Sequence, residues 1–232
     1  AAHLVEKLGF DGLDINMGCP DQTVEKQGAG AALIKNPQQA QAVIAAAKAG
    51  TPHLPVSVKT RIGYNRDELE SWLPILLESG LAAITIHART RQEMSKVPAH
   101  WEAVARAINL RNQAGSPTLI IGNGDVVSVS EAYARAEETG ADGIMLGRAI
   151  FGNPWLFANQ IPTIAERLTV MLEHTKLFVE IFGERKSFAI MKKHYKAYVE
   201  GFAGAKELRE KLMSTSTVDE VSHILESTNF LL

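Results

Sequence analysis

An α/β fold of barrel type is what this sequence predicts, and three observations predict it. A short apolar run, a polar or Gly-rich turn and a helical segment recur in that order five times. Such alternation means parallel strands joined by helical crossovers. All five runs end in polar chemistry: Asn16 and Cys19, Lys59 and Arg61, His87 and Arg89, Asn123 and Asp125, Gly147 and Arg148. An open doubly wound sheet gathers its functional groups at one switch point, whereas a barrel brings every strand end to one mouth. After Pro154 no strand signal appears and helical periodicity takes over. The predicted fold is therefore the (β/α)8 TIM-barrel type, with about five C-terminal units present, followed by a small all-helical domain.

Each element has its own signal. The apolar runs are residues 12–16, 54–59, 82–87, 117–122 and 142–147. Period-two alternation puts Lys59 with Arg61, and His87 with Arg89, on one face, and turns Val58 and Ile86 towards helices. Helical periodicity fills residues 40–49, 69–77, 101–108 and 129–136. Gly50, Gly80 and Gly140 are expected to end three helices by taking up the left-handed backbone. In the tail, residues 164–182, 186–202, 206–213 and 218–225 read as helices. The expected domains are 1–159, a partial barrel, and 160–232, the helical part. Five units out of eight imply roughly 80–100 residues ahead of Ala1, at about 30 per unit.

Composition narrows the function. The 232 residues are 46% apolar and 22% charged, which suits a packed core and excludes a disordered chain. No apolar run approaches the ~18 residues of a membrane span. The single cysteine excludes a disulfide framework and a four-cysteine zinc site, and no metal is expected. A net charge of −2 excludes a globally basic nucleic-acid binder, though not a local basic patch. No signal-peptide pattern opens the chain, so a cytoplasmic location is expected.

Two glycine turns, 121–125 and 146–149, each follow an apolar strand and precede a helix. Exposed amides at such turns form an anion site, and barrels often bind phosphate with the loops after their last two strands. Arg148 adds a fork-shaped donor suited to phosphate. Plain tight turns are the alternative. Cys19 lies between Gly18 and Pro20 in a loop at the mouth. A thiol with an ordinary pKa near 8.5 is mostly protonated at pH 7 and can act as an acid. A small buried hydrophobe is the other reading. Lys59 and His87 offer a cation and a ring donor on adjacent strand ends, able to stabilise charge on a heterocycle. Alternatively, Lys59 neutralises a carboxylate such as Asp125.

Taken together, runs 14–20, 28–33, 56–63, 86–90, 122–125 and 147–149 resemble the tRNA-dihydrouridine synthases, flavin-dependent barrel reductases, in order over about two-thirds of the chain. The resemblance implies that NADPH reduces a bound FMN, which delivers hydride to C6 of a uracil while Cys19 protonates C5. It implies that Lys59 and His87 contact the flavin, and that Asn123, Gly124, Asp125, Gly147 and Arg148 hold its ribityl chain and phosphate. Asn16 and Arg89 would face the substrate. The partner implied is tRNA.

The tail fits that partner. Between Arg185 and Lys211 there are eight Lys/Arg and three Glu. Phe188, Met191, Tyr195, Tyr198 and Phe202 make one face expected to be buried. Lys192, Lys193 and Lys196 fall on other sides; by themselves they read as a solvated charged face, and the resemblance makes them a surface for tRNA phosphates. Competing readings are a dihydroorotate dehydrogenase-like flavin enzyme acting on a free pyrimidine, a non-catalytic RNA-binding fragment, and a phosphate-binding isomerase barrel.

Overall fold

Local sequence sets where most elements begin. The structure, a computed structural model, describes residues 1–158, 160–183 and 185–228. Helix α1 (Ala2–Lys7) leads into strand β1 (Leu13–Asn16). Asp21 caps α2 (Gln22–Lys26), its carboxylate accepting from the Thr23 and Val24 amides. A 3-10 turn at Gly30–Lys35 precedes α3 (Pro37–Gly50), capped by Asn36, with Pro37 where a missing N–H costs nothing. There follow β2 (Val56–Arg61), α4 (Leu69–Leu77), β3 (Ala83–His87), α5 (Trp101–Gln113), β4 (Leu119–Asn123), α6 (Val129–Thr139) and β5 (Gly143–Met145).

The five strands form one parallel sheet in the order β1-β2-β3-β4-β5. A doubly wound sheet would reverse that order at a switch point; this one never does, as a barrel wall requires. Val56, Val58, Ile84, Ile86 and Ile120 are buried on one face. They pack with Ile44 of α3, Leu73 and Leu76 of α4, and Ala103 and Ala107 of α5. On the opposite face Asp14 and Asn16 are exposed, and so is the apolar Leu119, at 48%.

Gly140 ends α6 at φ +72, and Gly80 takes φ +59 just beyond α4, as expected. Gly50 does not. It is the last residue of α3 and has no positive φ. A Cβ there would stand 2.8 Å from the Ala2 Cβ. The reason for glycine at this position is the close approach of α1, not the turn.

Contacts divide the chain into two compact units, Ala1–Gly147 and Arg148–Leu232. The domain boundary expected from periodicity falls at residue 159, which lies outside the described residues. In the second unit, Thr163 and Glu166 form a reciprocal capping box at the start of α7 (Ile164–Phe182). Then come α8 (Ala189–Tyr198), α9 (Ala205–Ser214) and α10 (Val218–Glu226). Helix α8 is shorter than the predicted 186–202, since Val199 leaves the helical backbone and Gly201 (φ +79) and Gly204 (φ +81) turn the chain. The aromatic stripe is core as predicted. Met191, Tyr195 and Tyr198 are buried, and Phe188 and Phe202 pack against them from outside the helix.

Candidate active site at the strand ends

Register decides which side chains share the open face of the sheet. Asn16 is opposite Lys59, Arg61 is opposite His87, and His87 is opposite Asn123. Residues paired across parallel strands point the same way, as do residues two apart. Asn16, Lys59, Arg61, His87 and Asn123 therefore stand on one face, near the C-terminal strand ends.

The loop carrying Cys19 is tied down atom by atom. Asn16 Oδ1 accepts from the Gly18 amide at 3.0 Å and the Cys19 amide at 3.1 Å, shaping the turn that follows β1. Asn16, expected at the substrate, thus also builds the cysteine loop. Arg61 donates from Nε to the Gly18 carbonyl at 2.8 Å. It also donates from Nη1 to the carbonyls of Thr90 at 3.0 Å and Met94 at 3.1 Å. A single guanidinium, 6% exposed, thereby joins the loop after β1 to the loop after β3. Arg91 adds a second tie by pairing with Glu25 of α2. Cys19 itself is a free thiol of intermediate exposure.

Lys59 is half-buried, and among the described residues no hydrogen bond or ion pair engages its Nζ. Burial lowers its pKa, with the Arg61 cation adding and Asp14 opposing. Asp125 does not neutralise it, because that carboxylate pairs with Arg89. His87 lies deeper in positive potential. Burial first, then Arg61, Lys59 and Arg89, push its imidazole down to about 3 against the pull of Asp125. The ring is neutral at pH 7.

Arg89, expected to face the substrate, is only 2% exposed. Its Nε donates to the Val97 carbonyl at 2.6 Å, Nη1 lies 3.1 Å from His87 Nε2, and Nη2 pairs with Asp125. Asp125 Oδ2 also accepts from the Ala99 amide at 2.9 Å. The turn after β4 is strained in the way function often demands: Gly124 has φ +141 and Asp125 has φ +60. A Cβ at Gly124 would meet the Ala99 Cβ at 2.7 Å. Asn123 spends its Nδ2 on the Met145 carbonyl at 2.7 Å, and no described residue bonds its Oδ1. A Cβ at Gly147 would meet nothing within 4 Å. Arg148 opens the second unit, in a 3-10 turn at Arg148–Ile150.

Arg61, Arg91 and Glu25 carry the loop architecture and were not among the predicted site residues. Arg61 had a signal, since it alternates with Lys59 on a strand end. The Arg91–Glu25 pair had none, because its members lie 66 residues apart in the chain. A groove of about 560 Å³ lies outside this cluster, lined among others by Arg66, Thr90, Lys96, Val97 and His100. It does not include Cys19, Lys59 or His87. Among the described residues no group of three or more metal-binding side chains comes together.

In the second unit Lys193 and Lys196 are exposed on α8. Lys192 is less free, its Nζ donating to the Met213 carbonyl at 2.9 Å near the end of α9.

Comparison with known proteins identifies the family. The family model described as "Dihydrouridine synthase (Dus)" matches residues 1–231. A Staphylococcus aureus (strain MRSA252) protein named "Probable tRNA-dihydrouridine synthase" is 43% identical over 224 residues, which is 95% of this chain and 68% of that protein. A Bacillus subtilis (strain 168) protein named "Probable tRNA-dihydrouridine synthase 2" has the same identity and coverage. The chain thus spans about two-thirds of the length of these relatives. Among solved structures, a candidate phosphonomutase from Burkholderia cenocepacia J2315 superposes with a TM-score of 0.50 at 16% identity. That match covers 69% of this chain and 72% of the other. At that identity the likeness shows the fold alone.

Proposed function

The chain belongs to the dihydrouridine synthase family, and from that premise we propose that it reduces the C5–C6 double bond of uracil in tRNA, at a flavin site on the open face of its sheet. One observation carries the reading. A loop bearing the lone thiol is tied to Asn16 and Arg61, which stand on the sheet face that also presents Lys59, without a partner, and a neutral His87.

That donor set fits FMN. An unengaged ammonium beside a neutral imidazole suits a heterocycle that gains negative charge on reduction, because fixed donors there need no reorganisation. The Gly124–Asp125 turn, the Asn123 Oδ1 and Gly147 would hold the ribityl chain and phosphate. When bound, FMN would supply hydride chemistry at C6, with NADPH as the electron donor we propose for it. The chain's own part is acid catalysis and positioning. The Cys19 thiol gives its proton to C5, so that one hydrogen arrives on each carbon of the double bond. Asn16, whose Oδ1 is committed to the loop, offers its amide N–H to the base.

The target base must leave its stack to reach such a site. Recognition then rests on RNA shape and phosphates, for which Lys193 and Lys196 of α8, with Lys192 beside them, provide cations. No described helix is long and apolar enough to cross a membrane, and the proposal places the chain with its tRNA in the cytoplasm.

The test is Cys19→Ala in the whole chain. The variant is expected to keep its flavin absorbance and its NADPH oxidation while losing most dihydrouridine formation on tRNA. Full dihydrouridine yield would remove Cys19 from the acid role. Absence of flavin from the unmodified chain would favour an RNA-binding role without catalysis.

A further inference from the structure

We propose that Arg89 and Asp125 are positioning residues that hold His87 with its proton on Nδ1, so that the ring offers a fixed N–H donor to an acceptor atom of the ligand at the strand ends. The ligand part of this proposal rests on the flavin reading above; the tautomer part does not.

A guanidinium has five N–H donors and no acceptor. Arg89 Nη1 lies 3.1 Å from His87 Nε2, so Nε2 must be the acceptor and the ring proton must sit on Nδ1. A carboxylate in the same place would do the reverse, holding a proton on Nε2 and making the ring more basic. Here the carboxylate of Asp125 is one step removed. It binds Arg89, and Arg89 faces the ring.

The clamp is over-determined. Arg89 is 2% exposed, and its Nε is fixed on the Val97 carbonyl at 2.6 Å. Asp125 is held in turn by the Ala99 amide at 2.9 Å. Its φ of +60 is an uncommon backbone for a non-glycine residue, and it persists where surroundings enforce it. The Nε2 edge of the ring also faces Gly124, with Cδ2 and Nε2 at 3.5 and 3.9 Å from where a Cβ would be. No described residue bonds Nδ1, on the other side of the ring. The charged groups around His87 are Lys59 and Arg61 from β2, Arg89 from its own loop and Asp125 from the turn after β4. Three of these four are cations, which disfavour a second proton on the ring.

The experiment is ¹⁵N NMR of the whole chain labelled at its seven histidines, without flavin, with the His87 signals identified by their loss in His87→Gln. The expected result is the Nδ1–H tautomer, with no titration between about pH 5 and 8. An Nε2–H ring in the unmodified chain, or one titrating at its ordinary value, would overturn the proposal without any variant. Arg89→Met and Asp125→Asn should each admit the second tautomer and weaken FMN binding about tenfold, as expected for the loss of one aligned hydrogen bond. A folded Arg89→Met chain with an unchanged tautomer would also overturn it. Should the tautomer be as expected while the chain binds no FMN, the clamp stands and the flavin reading falls.

Discussion

A Cβ placed on Gly30 would stand 2.7 Å from the Cys19 carbonyl oxygen and 3.1 Å from the Cys19 Cβ. The thiol loop and the small-residue turn therefore shape one another: the Ala31 amide donates to that carbonyl at 2.9 Å, and Gly30 has φ +59. Gly30→Ala should destabilise the chain, about 1–2 kcal/mol from the left-handed backbone alone, and displace Cys19. Urea unfolding and the alkylation rate of Cys19 check this. An unchanged midpoint with an unchanged rate would show that the loop does not need the glycine.

Arg61 serves three carbonyls from a buried position. Arg61→Met strands those of Gly18, Thr90 and Met94. With roughly 1–3 kcal/mol per abandoned buried acceptor, a loss of about 3 kcal/mol or more is expected. Arg61→Lys should recover little, since an ammonium lacks the planar fork that reaches separate acceptors. Denaturation midpoints of both variants decide it, and a lysine variant of native stability would refute the bridging role.

The depressed pKa of His87 makes a signed prediction. The native ring protonates at about 3, whereas an unfolded histidine does so near 6.5. Between those values the unfolded state binds more protons, so stability falls as pH drops below 6.5, by at most about 1.4 kcal/mol per pH unit. Above pH 6.5 the group contributes no slope. His87→Gln should flatten the profile between about pH 6 and 5, where carboxylates barely titrate. Identical pH profiles for the two chains would show that the ring is not held neutral.

The lysines of α8 should separate. Lys193→Glu with Lys196→Glu should weaken tRNA binding, lower its dependence on salt and leave flavin affinity alone. Lys192→Met should cost about 1 kcal/mol of stability, because its ammonium serves the Met213 carbonyl. Titrations of tRNA at several salt concentrations test the first part and thermal melts test the second. If Lys193 and Lys196 can be reversed without changing affinity at any salt concentration, tRNA docks elsewhere.

What the sequence determined by itself is what local physics determines. Helices Leu69–Leu77 and Ile164–Phe182 run where periodicity put them, because an apolar stripe or a Thr163–Glu166 capping box is complete within a few residues. The facing of Val58 and Ile86 towards helices, and of Lys59 and His87 away from them, follows from the pleat alone. Only the tertiary structure decided what those polar ends do. Arg89 meets Asp125 across 36 residues, Arg61 reaches Gly18 across 43, and Gly50 is small because α1 passes beside it. None of these partners lies within a turn of the other, so no periodicity announces them. Hydrogen-bond partners of a buried guanidinium are chosen by which loops the fold brings within 3 Å or so, and that choice is made only when the sheet has assembled.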